Sequence, residues 1–143
     1  MNIVEYKNHN GLIPFYASRG IEVSEQFENP PVFSYVIEDN GNVVAAVTCS
    51  KISSTFIVEA IAVNEQYERQ HIGTELLNFA VNRAKEMDAD NIILNAKNPV
   101  LFEKNGFSVI NKEEVPVDSY SYCFERPDYQ VTCFPKIMKY NRK

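Results

Sequence analysis

The chain has little of what several large function classes require. Its 14 Lys and Arg are outnumbered by 19 Asp and Glu, for a net charge of −5. It therefore lacks the basic excess that marks a nucleic-acid-binding face. No apolar run approaches the roughly 18 residues of a membrane-spanning helix, so no membrane association is expected. The opening MNIVEYKNHN lacks the basic-then-apolar pattern of a secretory signal. Histidine is limited to His9 and His71, too few for a histidine-based metal site. Cys49, Cys123 and Cys133 are odd in number and show no C-x-x-C spacing. That usage points to free thiols in a reducing cytoplasm, not to a disulfide framework. Repeats, low-complexity stretches and linkers are missing too, so the 143 residues read as one domain with its own core.

What is present alternates between strand and helix patterns. NIVEY (2–6) reads as a short strand. A helical region is expected between Pro14 and Phe27, ended by Pro30-Pro31. VFSYVIED and NVVAAVTCS flank Asn40-Gly41, a strong hairpin signal. TFIVEAIAV (55–63) reads as the next strand, followed by a long helix over about 70–87. DNIILNA (90–96) is a short β-branched run, NPVLFEKN (98–105) fits a helix stopped by Gly106, and FSVI (107–110) is extended again. A last extended segment covers VTCFPKIMKY (131–140), with Pro135 at a bulge or edge. Strand–helix–strand over 55–96 implies a parallel pair with a crossover helix. The fold class is mixed α/β, a sheet covered by helices.

The entrance to the long helix is the unusual place. In NEQYERQHIGTELLNFA, Ile72, Leu76, Leu77, Ala80, Ala84 and Met87 recur at helical spacing. Yet the helix is entered through Arg69-Gln70-His71, none of them a good N-cap, with Gly73 in its first turn. Two readings stand side by side. Water, or Asn64 through a preceding turn, completes the helix, and Gly73 relieves packing. Alternatively an anion meets the free N–H groups at the start of the helix, with Gly73 allowing close approach of the backbone and Thr74 adding a hydroxyl donor.

IAVNEQYERQHIGTELLNFAVNRAKEMDADNIIL followed by NPVLFEKNGF resembles the GNAT superfamily of acyl-CoA-dependent N-acyltransferases, over about 33–110. The resemblance implies a central, mostly antiparallel sheet with one splayed parallel pair, flanked by helices. It implies acetyl-CoA as co-substrate and a primary amine as acceptor; no metal is expected, and the chain is read as a monomer or homodimer. The family's Q/R-x-x-G-x-G/A signature falls on 68–73. Glu68 replaces the usual Gln or Arg, His71 replaces the first glycine, and only Gly73 matches. By this resemblance the backbone around Arg69, Gln70, His71, Ile72, Gly73 and Thr74 holds the coenzyme diphosphate. Pantetheine pairs with the strand at Ile61, Ala62 and Val63, and Asn95 contacts its arm, with a strand-end cap as the alternative for Asn95. Phe102 stands where relatives often carry a tyrosine that protonates the departing thiolate; phenylalanine has no proton to give. Tyr120 and Tyr122 are alternative donors.

Glu59 is the candidate base. By alternation in TFIVEAIAV it shares a face with Ile57, Ile61 and Val63, a lone carboxylate on an apolar surface. Partial burial there would raise its pKa toward that of a useful base. The other reading is a glutamate satisfied at a sheet edge or bulge. An N–H near Ala62 or Val63 would meet the oxyanion. Cys49 reads as core. Glu22 and Glu25 either line an acceptor site or form a solvated helix face. The aromatic-rich tail, from Tyr120 to Phe134, either shapes the acceptor pocket or packs as a covering loop. A fold that binds acyl-CoA or a protein partner without turnover is the competing function.

Overall fold

The computed structural model describes residues 2–21, 32–52, 54–96, 100–110 and 136–141, with 52, 68–70, 95, 96 and 136 described by their backbone. The hairpin forms where the sequence places it. β2 (Val32–Asp39) and β3 (Asn42–Ile52) pair antiparallel. Between them Asn40 and Gly41 take φ values of 52° and 80°. Positive φ at both central residues matches the twist of the flanking strands, and Asn-Gly tolerates it best. The short β1 (Ile3–Glu5) adds to the free edge of β2. β4 (Thr55–Val63) pairs antiparallel with β3.

The chain then crosses over. A 3-10 turn at Glu65–Gln70 leads into α2 (Ile72–Glu86), and β5 (Asn91–Ala96) returns parallel to β4. The first helix, α1 (Ile13–Ser18), follows a 3-10 turn at His9–Leu12 and stops where Gly20 takes φ 79°. α3 (Val100–Lys104) and β6 (Phe107–Val109) precede β7 (Lys136–Tyr140). β7 inserts between β5 and β6, giving the order β1-β2-β3-β4-β5-β7-β6. The mixed α/β class and the GNAT-like sheet agree with expectation. The polar loop and the extended run expected to start at 131, Pro135 included, lie outside the described residues up to 135.

Each face of the sheet has its own core. α2 buries Ile72, Leu76, Leu77, Ala80, Val81 and Ala84. They pack on Tyr35, Val47, Cys49, Phe56, Val58, Ile92 and Leu94. At about 1.5–3 kcal/mol per fully buried large side chain, this stripe outweighs the glycine in the first turn. On the other face Leu12 and Tyr16 pack on Val36, Ala46, Ala60 and Ala62. There Tyr16 bonds Thr48 (2.7 Å), Thr48 bonds Ser34 (2.9 Å), and Ser34 bonds His9 (2.8 Å). Burial leaves such hydroxyls no water, so each is satisfied by another. The Cys49 thiol is fully buried, as expected of a core residue.

Two irregularities shape the centre of the sheet. Cys49 pairs with Val58 and Thr48 with Ala60, so Glu59 is the extra residue of a β-bulge. The expected alternation therefore fails. Phe56, Val58, Ile61 and Val63 face α2, while Ala60 and Ala62 face Tyr16. One added residue shifts the parity of everything after it, so Glu59 does not share a face with Ile61 and Val63. The second irregularity is a fork. The β4–β5 ladder runs from Thr55↔Asn91 to Val58↔Leu94 and ends there. Past it, among the described residues, β4 continues beside β3 alone, while Asn95 and Ala96 pair with β7.

Candidate active site

The fork opens directly beside the bulge, and the bulge aims Glu59. The hydroxyl of Ser50 bonds its carboxylate. Ser50 lies two residues from Thr48 on β3, on the face that carries Tyr16. The Glu59 side chain reaches solvent, yet the protein around its carboxyl displaces enough water to push the pKa above the ordinary 4.5. Ser50 offsets part of that by stabilising the anion. Complete burial, with a smaller contribution from the same charge, raises the pKa of the neighbouring Cys49 thiol. A buried, protonated Cys49 is no nucleophile.

Strand geometry decides which β4 amides face the opening. The N–H of Asn64 donates to the carbonyl of Val44 at 2.7 Å. Val63 pairs with Ala45 and Ala62 with Ala46. Antiparallel strands alternate hydrogen-bonded and non-bonded pairs. The backbone groups of Ala62 therefore face β3, and those of Ile61 and Val63 face the fork. The Ala62 amide is thus turned away from the fork, and those of Ile61 and Val63 toward it. Among the described residues, no strand pairs with them on that side.

At the open end of the fork stands the N-terminus of α2. His71 takes φ 60°, ψ 20° and gives the helix no side-chain cap. The first helical bond runs from the N–H of Glu75 to the carbonyl of His71, 3.1 Å. The left-handed backbone explains why glycine suits this position better than histidine. Asn64 caps the 3-10 turn instead, accepting from the N–H of Gln66 at 3.0 Å, so it does not complete α2. Packing does not require Gly73 either. A Cβ there would meet Val63 and Leu101 at 3.6 Å, ordinary contact. Tyr67 secures the turn from outside, its hydroxyl donating to Asp39 at 2.6 Å. The amides of Ile72, Gly73 and Thr74 thus form a cradle of the kind that accepts phosphate.

The remaining candidates separate. Phe102 is buried, edge-on to Phe107 at 6.2 Å between ring centres, and belongs to the α2-side core. The Arg69, Gln70 and Asn95 side chains lie outside the described residues, as do Glu22, Glu25, Tyr120, Tyr122, Cys123 and Cys133. Among the described residues, no cluster of His, Cys, Asp and Glu is arranged to hold a metal, and no helix is long and apolar enough to cross a membrane. Sequence reasoning missed Ser50. The signal available for it is the alternation of polar Thr48 and Ser50 in an otherwise apolar β3.

The described residues thus bring together a bulged strand, a tight turn into a helix without a side-chain cap, and a forked parallel pair. The chain belongs to the acetyltransferase (GNAT) family, whose model matches residues 4–107. It is therefore a GNAT-type acetyltransferase, an enzyme of acyl transfer. Solved structures share the fold. A GNAT-family acetyltransferase from Staphylococcus aureus Mu50 is 19% identical, with a TM-score of 0.75 over 99% of this chain and 99% of its own. N-acetylglutamate synthase from Neisseria gonorrhoeae, solved with coenzyme A and N-acetyl-glutamate, is 18% identical, with a TM-score of 0.70. That match covers 99% of this chain but only 36% of the synthase. PaiA N-acetyltransferase from Thermoplasma acidophilum, solved with coenzyme A, is 16% identical, with a TM-score of 0.57 over 78% of this chain and 61% of its own. No curated protein sequence matches the chain at a significant level.

Proposed function

We propose that this chain transfers an acetyl group from acetyl-CoA to a primary amine of a small molecule or peptide by direct attack. The observation that carries the reading is the meeting of three features at one fork: an uncapped helix start, outward-turned β4 amides, and a carboxylate on the bulge. Coenzyme A in the PaiA and N-acetylglutamate synthase structures supports the choice of co-substrate.

The chemistry follows from the residues. The cradle from His71 to Thr74 receives the diphosphate, its amides and helix dipole offsetting the negative charge. Ile61 and Val63 pair with the pantetheine arm as a strand would. Glu59 takes a proton from the acceptor ammonium, directly or through one water, and the freed amine attacks the thioester carbon. As the C–N bond forms, the N–H of Val63 meets the oxyanion. The C–S bond then breaks, the electron pair leaves on sulfur, and the nitrogen of the new amide gives up its remaining extra proton to water. A thiol of pKa near ~8.5 is a good leaving group and needs little acid help. Phe102 is therefore compatible with turnover, with water, Tyr120 or Tyr122 supplying the proton.

A binding-only reading rests on Phe102, which has no proton to donate. Two measurements separate the readings. Saturating CoA or acetyl-CoA at about 100 times Kd is expected to stabilise the fold by ~2.7 kcal/mol, seen as a rise in Tm; no rise with either overturns both. Thiol release from acetyl-CoA across a panel of amines then distinguishes an enzyme from a binder.

A further inference from the structure

The segment holding α1 is fastened to three successive strands by polar contacts. His9 bonds Ser34 on β2, Tyr16 bonds Thr48 on β3, and Arg19 reaches β4. The last contact differs from the others. The Nε of Arg19 donates to the main-chain carbonyl of Val63 at 2.9 Å. That carbonyl faces the fork, on the side from which β5 has departed. On the opposite side of the same peptide plane, the N–H of Asn64 donates to Val44 at 2.7 Å. One peptide unit is thus held at both ends, by a charged donor on one side and a strand on the other.

This peptide is where β4 becomes the coenzyme turn. Asn64 starts the 3-10 segment, accepting from Gln66 through its side chain and from Tyr67 at 2.8 Å through its carbonyl. Rotation of the Val63–Asn64 plane would swing the start of that segment and, with it, the amides from His71 to Thr74. A carbonyl oxygen has two lone pairs, so Arg19 leaves one for a ligand lying along β4.

We propose that Arg19 is a positioning residue for coenzyme binding, fixing the Val63–Asn64 peptide so that the α2 cradle is preset for a diphosphate. This rests on the coenzyme reading above. It makes the α1 segment, remote in sequence from the phosphate turn, part of the coenzyme machinery. Its action is geometric, through Nε, and a charge placed elsewhere does not replace it.

The test is calorimetric titration of CoA into the wild type, Arg19→Gln, Arg19→Lys and Tyr16→Phe, with Tm measured for each. Tyr16→Phe removes the neighbouring fastening and leaves β4 alone. Both Arg19 variants are expected to bind CoA about five- to tenfold more weakly. Tyr16→Phe is expected to lower Tm while binding CoA as the wild type does. Wild-type affinity in Arg19→Gln, or in Arg19→Lys, overturns the positional role while leaving the coenzyme reading intact. Equal weakening in Tyr16→Phe overturns it too, because the effect would then come from general loosening of α1. A wild type that fails to bind CoA removes the coenzyme reading itself, a result visible before any variant is compared.

Discussion

Glu59 occupies the extra position of a bulge, and its chemistry and its effect on stability pull in opposite directions. Folding raises its pKa above 4.5, mainly through loss of water around the carboxyl. The folded chain therefore binds this proton more tightly than the unfolded one. The stabilising contribution is complete below about pH 4.5 and is lost as pH rises through the folded value. Near neutral pH Glu59 is a small liability. Glu59→Gln is thus expected to raise Tm slightly at neutral pH, with the gain vanishing in acid. The same change is expected to slow acetyl transfer by ~10²-fold or more while CoA affinity holds, measured by thiol release and calorimetry. An unchanged rate removes Glu59 as the base. His71 makes a second case. Its left-handed backbone costs a residue with a Cβ about 1–2 kcal/mol, partly offset by the greater chain entropy of an unfolded glycine. His71→Gly is expected to stabilise the fold by up to about 1 kcal/mol in chemical denaturation.

At the scale of elements, α2 separates what packing needs from what the ligand needs. Gly73 has room for a methyl group at 3.6 Å from Val63 and Leu101, and alanine favours a helix over glycine by up to ~1 kcal/mol. Gly73→Ala is expected to hold or raise Tm and to weaken CoA binding at least tenfold, roughly 1.4 kcal/mol. A variant that binds CoA normally would show that the cradle lies elsewhere. The elements themselves were largely legible in the sequence. The Asn40-Gly41 turn, the span of β4 and the apolar stripe of α2 follow from local chemistry that neighbours reinforce. The bulge was not legible, because a run of apolar residues looks the same with or without a slip in register. That is why Glu59 parts from the face of Ile61 and Val63. The contact from Arg19 to Val63 and the insertion of β7 between β5 and β6 depend on long-range pairing, which periodicity does not encode.

At the scale of the whole molecule, the sheet is two blocks joined by a short parallel ladder. β1 to β4 form one block and β5, β7 and β6 the other. Between them run the pairs from Thr55↔Asn91 to Val58↔Leu94, with α2 contributing Leu76, Leu77 and Ala80 to the core that includes both Phe56 and Ile92. On the fork side no described strand pairs with the end of β4, and under the proposed function an extended ligand arm takes that place. This view makes an amide-by-amide prediction. In the free protein the amides of Ile61 and Val63, turned to the fork, are expected to exchange hydrogen faster than those of Ala60 and Ala62, which face β3. CoA is expected to slow Ile61 and Val63, together with Ile72, Gly73 and Thr74, by about tenfold or more, and to leave Ala60 and Ala62 nearly unchanged. Native-state hydrogen exchange read by NMR resolves the alternation directly. Uniform protection along β4 would mean that CoA acts by stiffening the sheet as a whole. Protection alternating residue by residue would mean that the coenzyme completes it, as an added strand between blocks that the chain leaves parted.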